Sequence, residues 1–201
     1  MKKYVGKLIS IKFKDRKDAV YGFVIDYNSD WTLLRHNVVD YVLDGYIILA
    51  HKKVKGWRRG DEEKFREKVI KLKGYTSEKE GRVPLEDVKS MLDALSKRHG
   101  IFQFTTNDEG VCYLGRLVSI DDKQLIIENL DPEARWTGNR RFKTKDIRSI
   151  EFDTDYINSL KLVARKKAPT KKGIDVKSFT GKLMLKEDAV AVQKRMRAGV
   201  K

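Results

Sequence analysis

One cysteine (Cys112), three prolines, three histidines and no long apolar run are all that this chain of 201 residues offers of several informative features. Each shortage closes a class of explanation. A single thiol forms neither an internal disulfide nor a cysteine-based zinc site, which suits a reducing cytoplasm. No apolar stretch reaches transmembrane length, and Lys12, Lys14 and Arg16 interrupt the opening residues before a signal-peptide core can form. His36, His51 and His99 are scattered, and there is no His-x-x-x-His pair, no phosphate loop and no nucleophile elbow. Glu151, Asp153 and Asp155 cluster at one turn but lack further carboxylates to complete a divalent-ion shell, so they read as a solvated turn. The expectation is a non-enzymatic cytoplasmic protein with no cofactor, no metal site and no membrane partner.

What the chain has in abundance is positive charge. Lys and Arg number 44 against 29 Asp and Glu, a net charge of +15, which attracts phosphate-bearing polyanions or serves an ordinary solvated surface.

The apolar residues are patterned in short runs. Ile9, Ile11 and Phe13 alternate with period two, and Val20 to Ile25, Trp31 to Arg35, Tyr46 to Leu49 and Val54 to Trp57 read as four more short strands. From Asp61 to Leu72 the period changes, and Phe65, Val69 and Leu72 mark the apolar stripe of an amphipathic helix. Pro84 stands where a second helix has its first residue. Leu85, Val88, Leu92 and Leu95 form that helix's stripe and Gly100 ends it. Strands return at Ile101 to Phe104, Cys112 to Val118, Leu125 to Glu128 and Ile147 to Phe152.

The second set repeats the first. Tyr21-Gly22-Phe23-Val24-Ile25-Asp26 aligns with Leu114-Gly115-Arg116-Leu117-Val118-Ser119, Lys53 to Trp57 with Asp146 to Ile150, and Phe65 to Ile70 with Tyr156 to Leu162. A glycine inside a strand is unfavourable unless the backbone bends sharply or is closely approached. Here one occurs at the same place in each copy. The pattern predicts a mainly β chain with bridging helices (α+β), built as two tandem small β-barrels. Residues 1–73 form the first barrel with its closing helix, 74–100 the connector and helix, 101–163 the second barrel, and 164–201 a basic linker and C-terminal helix.

On these residues the chain resembles the Sm-like family, an SH3-type small barrel. The family's first motif, apolar-x-Gly-x-apolar followed by Asp, a turn and an apolar strand, is similar to Val20 to Asp26 with Trp31 to Leu34, and to Tyr113 to Asp121 with Leu125 to Asn129. Its second motif looks like Val54-Lys55-Gly56 and Ile147-Arg148-Ser149, although neither copy keeps both Arg and Gly. The resemblance implies a small-barrel fold and binding to RNA.

Two stretches combine positive charge with flat side chains, the pairing that neutralises phosphate and stacks on bases. Lys52, Lys53, Lys55, Arg58 and Arg59 surround Trp57. Arg135, Trp136, Arg140, Arg141 and Lys143 read as a loop, and Arg148 lies in the second motif. Trp57 aligns with Ile150 and reads as core, as does Trp31; Trp136, without apolar neighbours in sequence, is the stacking candidate. The expected partner is RNA or single-stranded DNA, with RNA favoured. The rival reading is a protein-interaction module. Phe179 to Leu185 with Asp188, Gln193 and Arg197 is similar to the short tails of some bacterial antitoxins, so residues 174–197 would hold a partner protein or pack as an amphipathic terminal helix. The oligomeric state stays open, since fused copies can pair their edges with each other or with other chains.

Overall fold

A computed structural model describes residues 2–15, 17–75, 81–107 and 111–165. Ten strands form one antiparallel sheet: β1 (Leu8–Phe13), β2 (Val20–Tyr27), β3 (Trp31–Val39), β4 (Val42–Ala50), β5 (Val54–Arg58), β6 (Phe102–Thr105), β7 (Cys112–Ile120), β8 (Gln124–Leu130), β9 (Trp136–Lys143) and β10 (Ser149–Phe152). Helices α1 (Asp61–Leu72) and α2 (Val88–His99) lie between β5 and β6, and α3 (Asp155–Arg165) follows β10. Among the described residues the chain is mainly β with three α-helices, an α+β arrangement. Its spatial strand order is β5-β1-β2-β3-β4-β10-β6-β7-β8-β9. The order is linear and open, with β5 and β9 at its ends.

That order is one five-strand course run twice. Strands β5-β1-β2-β3-β4 recur as β10-β6-β7-β8-β9, and the halves join where β4 pairs with β10. The registers repeat as well. Ile9 lies opposite Gly22 as Phe102 lies opposite Gly115, and the pairing slips between Val24 and Asp26 as it does between Leu117 and Ser119.

The paired glycines owe their place to a close neighbour strand. A Cβ on Gly22 would sit 2.5 Å from the Arg35 carbonyl oxygen, and one on Gly115 would sit 2.2 Å from that of Glu128. Any larger residue forces β2 off β3, or β7 off β8.

Alternation along the strands sends side chains to different clusters. Ile9, Ile11 and Phe13 meet Val24, Leu34, Ile47 and Leu49 on one face. On the other, Leu8 and Phe23 meet Ile70 of α1. The intervening β4 residues Tyr46 and Ile48 join a larger cluster with Leu33, the α2 residues Met91, Leu92 and Leu95, and Phe102, Phe104 and Ile150. Buried on both faces, β4 anchors both halves, and each fully buried Ile or Leu contributes about 2 kcal/mol.

Three expectations need correction. Helix α2 starts at Val88 under an Asp87 cap, whose carboxylate accepts the Ser90 N–H at 2.7 Å, and does not start at Pro84. The chain stays non-helical there because Leu85 is itself a buried anchor of the core and Asp87 offers the better cap. Helix α1 has the expected bounds but the opposite facing: Phe65 and Leu72 are exposed, while Glu63, Glu67 and Ile70 are buried. The reason lies in β1. Strand β5 ends opposite Ser10, so the Leu8 N–H donates instead to Glu67 at 2.9 Å, and the Ser10 hydroxyl donates to Glu63 at 2.7 Å. Finally, residues 136–143 form a strand where a loop was expected.

Candidate nucleic-acid interface

Strands β5 and β9 each have a neighbour on one side only among the described residues. Their counterparts in the other half, β10 and β4, are interior. The side chains follow this difference. Where β4 carries buried Ile47 and Ile48, the matching register positions of β9 carry exposed Arg140 and Arg141. Where β10 carries buried Ile150, β5 carries Trp57, 40% exposed. Interior strands are covered on both edges and take apolar residues, while end strands face water and take charge.

On the β5 side, Lys52, Lys55 and Arg58 are exposed. The sheet brings Lys12 and Lys14 to the same edge: Lys12 lies opposite Gly56, and the Lys14 N–H donates to the Lys53 carbonyl at 3.0 Å. Sequence reasoning missed both because about forty residues separate them from β5. Their only signal was a Lys-x-Lys ending to an alternating strand. Trp57 stands beside His51 in an edge-on contact at 5.5 Å, and is an aromatic with open surface, contrary to the expectation of core. The alignment with Ile150 was sound, but among the described residues β5 has no strand on its outer side.

Other expected contacts are already engaged within the fold. Arg59 donates to the Leu8 carbonyl at 2.8 Å and to Glu67 at 2.7 Å. Lys53 and Arg148 share Asp15, each at 2.9 Å, and Arg148 is only 7% exposed. The Lys53 ammonium foremost, with Arg148 beside it and against the push of burial, holds the Asp15 carboxyl down to about 2. The buried carboxylates of α1 behave alike. Burial pushes Glu63 up, but the Ser10 hydroxyl and the Gly60 N–H outweigh it; burial likewise opposes Glu67, which Lys71, the Leu8 N–H and Arg59 hold below the usual carboxylate range.

On the β9 side, Arg140, Arg141 and Lys143 are exposed. Arg140 lies 5.8 Å from the centre of the Tyr113 ring. Arg135 is exposed but paired with Asp131 and Glu133, each at 2.8 Å. Trp136 is half-buried against Leu130 and its neighbours, with the Arg116 guanidinium 4.5 Å from its ring centre. The open aromatic is therefore Trp57 and the covered one Trp136, the reverse of the expectation.

Among the described residues, no catalytic constellation stands beside these edges. Both His51 nitrogens are engaged, Nε2 with the Thr32 hydroxyl and Nδ1 with the Ser29 carbonyl, each at 2.7 Å, so the ring pins a turn. A cavity of about 670 Å³ beside this turn is lined by Lys52, Lys89 and Lys145 and by five carboxylates, Asp30, Glu86, Asp87, Asp121 and Asp122. Its excess of carboxylates makes it a poor anion pocket. Among the described residues, no three His, Cys, Asp or Glu side chains are grouped to hold a metal ion, and no helix is long and apolar enough to cross a membrane. Residues 174–197, the candidate partner segment, lie outside the described residues. No family model matches the chain, and no curated protein and no solved structure does either.

Proposed function

We propose that this chain is a non-enzymatic, cytoplasmic nucleic-acid-binding protein whose two tandem small barrels, of the Sm-like or SH3-like kind, present basic end strands to phosphate. The barrel reading draws support from the repeated strand order, the matched registers and the equivalent crowding of Gly22 and Gly115. One observation carries the functional reading: arginine occupies, on the exposed β9, the positions that isoleucine occupies on its interior counterpart β4. Arg140, Arg141 and Lys143 on one edge, with Lys12, Lys52, Lys55 and Arg58 on the other, neutralise backbone charge, and Trp57 offers a stacking face. These groups sit on strand edges and turns, not along a helix that could enter a DNA major groove. That placement favours single-stranded RNA.

Fluorescence anisotropy with labelled mixed-sequence RNA and single-stranded DNA tests the reading. Binding should weaken steeply between about 50 and 200 mM salt, as counterion release requires. Binding that is absent at low salt, or indifferent to salt, defeats it.

A further inference from the structure

The exposed side of α1 lies apart from the two strand edges proposed to bind nucleic acid. Its apolar residues Phe65 and Leu72 are 57% and 78% exposed, and they lie seven apart on the same side of the helix. They are not isolated. The Phe65 ring meets Tyr41 edge-on at 6.2 Å, in the turn between β3 and β4, where Val39 pairs with Val42 and both are exposed. Arg66 and Lys73 donate to the Asp40 and Tyr41 carbonyls, fastening this hairpin to α1. Val38, on the same hairpin, lines a cavity of about 650 Å³ with Val111 and Tyr156, which are 43% and 50% exposed. One apolar band thus runs from α1 over the hairpin to the start of α3.

The ends of the band differ in charge. Exposed Lys64, Lys68, Lys71 and Lys73 flank it on α1 and its C-cap, with Lys64 paired to exposed Asp61 and Lys71 to buried Glu67. At the other end stand exposed Asp153 and Asp155, and in the cavity that Tyr156 lines Asp44, Asp131 and Glu151 outnumber Arg140. In a chain of net charge +15, an acidic end beside an apolar band is a selective feature. An acidic partner or an anionic lipid surface would be attracted by one end and repelled by the other.

We infer that this face is an interface with a second copy of the same chain, related by a two-fold axis through the hairpin. That symmetry lays the lysine-flanked end of each copy on the aspartate end of the other, and the contact is made twice. Eight apolar residues of the band are exposed, from Tyr41 at 36% to Leu72 at 78%, enough to form the centre of an interface of standard size, roughly 800 Å² per partner. The basic end strands offer no such match. Stacking β5 of one copy on β9 of another in the β10–β4 register would set Arg58 opposite Arg140, and like charges directly opposite destabilise a strand pair.

Sedimentation velocity on the nuclease-treated full chain in 0.15 M salt tests the proposal. A dimer is expected at tens of micromolar, with its dissociation constant raised at least hundredfold by Phe65→Glu together with Val42→Glu, and with an unchanged circular dichroism spectrum. Two charge variants sharpen the test without touching the apolar residues. Lys64→Glu with Lys68→Glu should be monomeric alone, as should Asp155→Lys, and mixing the two should restore a heterodimer. A wild-type chain that stays monomeric at 200 µM overturns the proposal, whatever else covers the face. So does a dimer that Phe65→Glu leaves intact, a mixture that fails to associate, or a monomer that sediments with phosphatidylserine vesicles through Phe65.

Discussion

Strands β5 and β10 are the same strand in two copies of one course, yet they do different work. In β10 the chain has β4 on one side and β6 on the other, so Ile150 is fully buried and the preceding Arg148 is drawn onto Asp15. In β5 the outer side lies open among the described residues, and the corresponding Trp57 and Lys55 face solvent. The same contrast separates β4 from β9. A residue's place in a repeat sets its backbone pairing; its place in the sheet sets whether that position holds up the fold or offers a surface.

Substitutions at matched positions should separate these roles. The largest effect is expected for Ile150→Ala, which leaves a cavity at the junction of the halves and should cost about 4 kcal/mol in urea unfolding. Trp57→Ala, its counterpart, should cost about 1 kcal/mol, because its ring is already partly hydrated. Equal costs would remove the distinction between inner and outer strands.

Next comes Arg148→Ala, which strips a buried partner from Asp15 and should cost about 3 kcal/mol. Lys55→Ala should stay within about 0.5 kcal/mol of the parent, as exposed positions do. Reversing charge at both edges with Arg58→Glu and Arg141→Glu should then weaken RNA binding by roughly tenfold, about 1.4 kcal/mol, with stability nearly unchanged. An anisotropy titration unaffected by that pair would move the interface elsewhere.

The most gradual effect, spread over more than two pH units, concerns pH. His36 faces Gly22 where Asn129 faces Gly115, and burial pushes the His36 imidazole down from 6.5 to about 4. The unfolded chain therefore binds a proton below pH 6.5 that the folded chain refuses until about pH 4. Stability from this residue is complete above pH 6.5 and declines as pH falls through that window, at up to about 1.4 kcal/mol per unit. His36→Asn should flatten the slope. Some slope should remain, since burial also lowers His99. Asp15, Glu63 and Glu67 act only at lower pH: their stabilisation holds above 3.8 for Asp15 and 4.5 for the glutamates, and disappears as they protonate.

Much of the fold was legible from residue pattern because its causes are local. Alternation at Ile9, Ile11 and Phe13 found β1, the glycine repeat found the equivalence of β2 and β7, and the change of period at Asp61 found α1 with its bounds. Strand β9 escaped because an end strand has no buried face to write an alternating pattern: Thr137-Gly138-Asn139-Arg140-Arg141 is exposed throughout. The facing of α1 escaped for a different reason. Periodicity assigns its apolar stripe to the core, but Glu63 and Glu67 are buried to accept hydrogen bonds from Ser10 and Leu8, more than fifty residues earlier.

The candidate interface divides along the same line. Residue pattern located the basic clusters and their aromatic neighbours, since charge and side-chain type are properties of the residues alone. It ranked the tryptophans in the wrong order and counted Arg59 and Arg148 among exposed cations. By itself, the amino-acid sequence determined the repeated course, the place of the strand glycines, the bounds of α1 and the excess of positive charge, all of which are written in residue type and spacing. Only the tertiary structure decided which copy of each strand lies at an end of the sheet. Burial depends on what covers a strand's open side, and that comes from elsewhere in the chain.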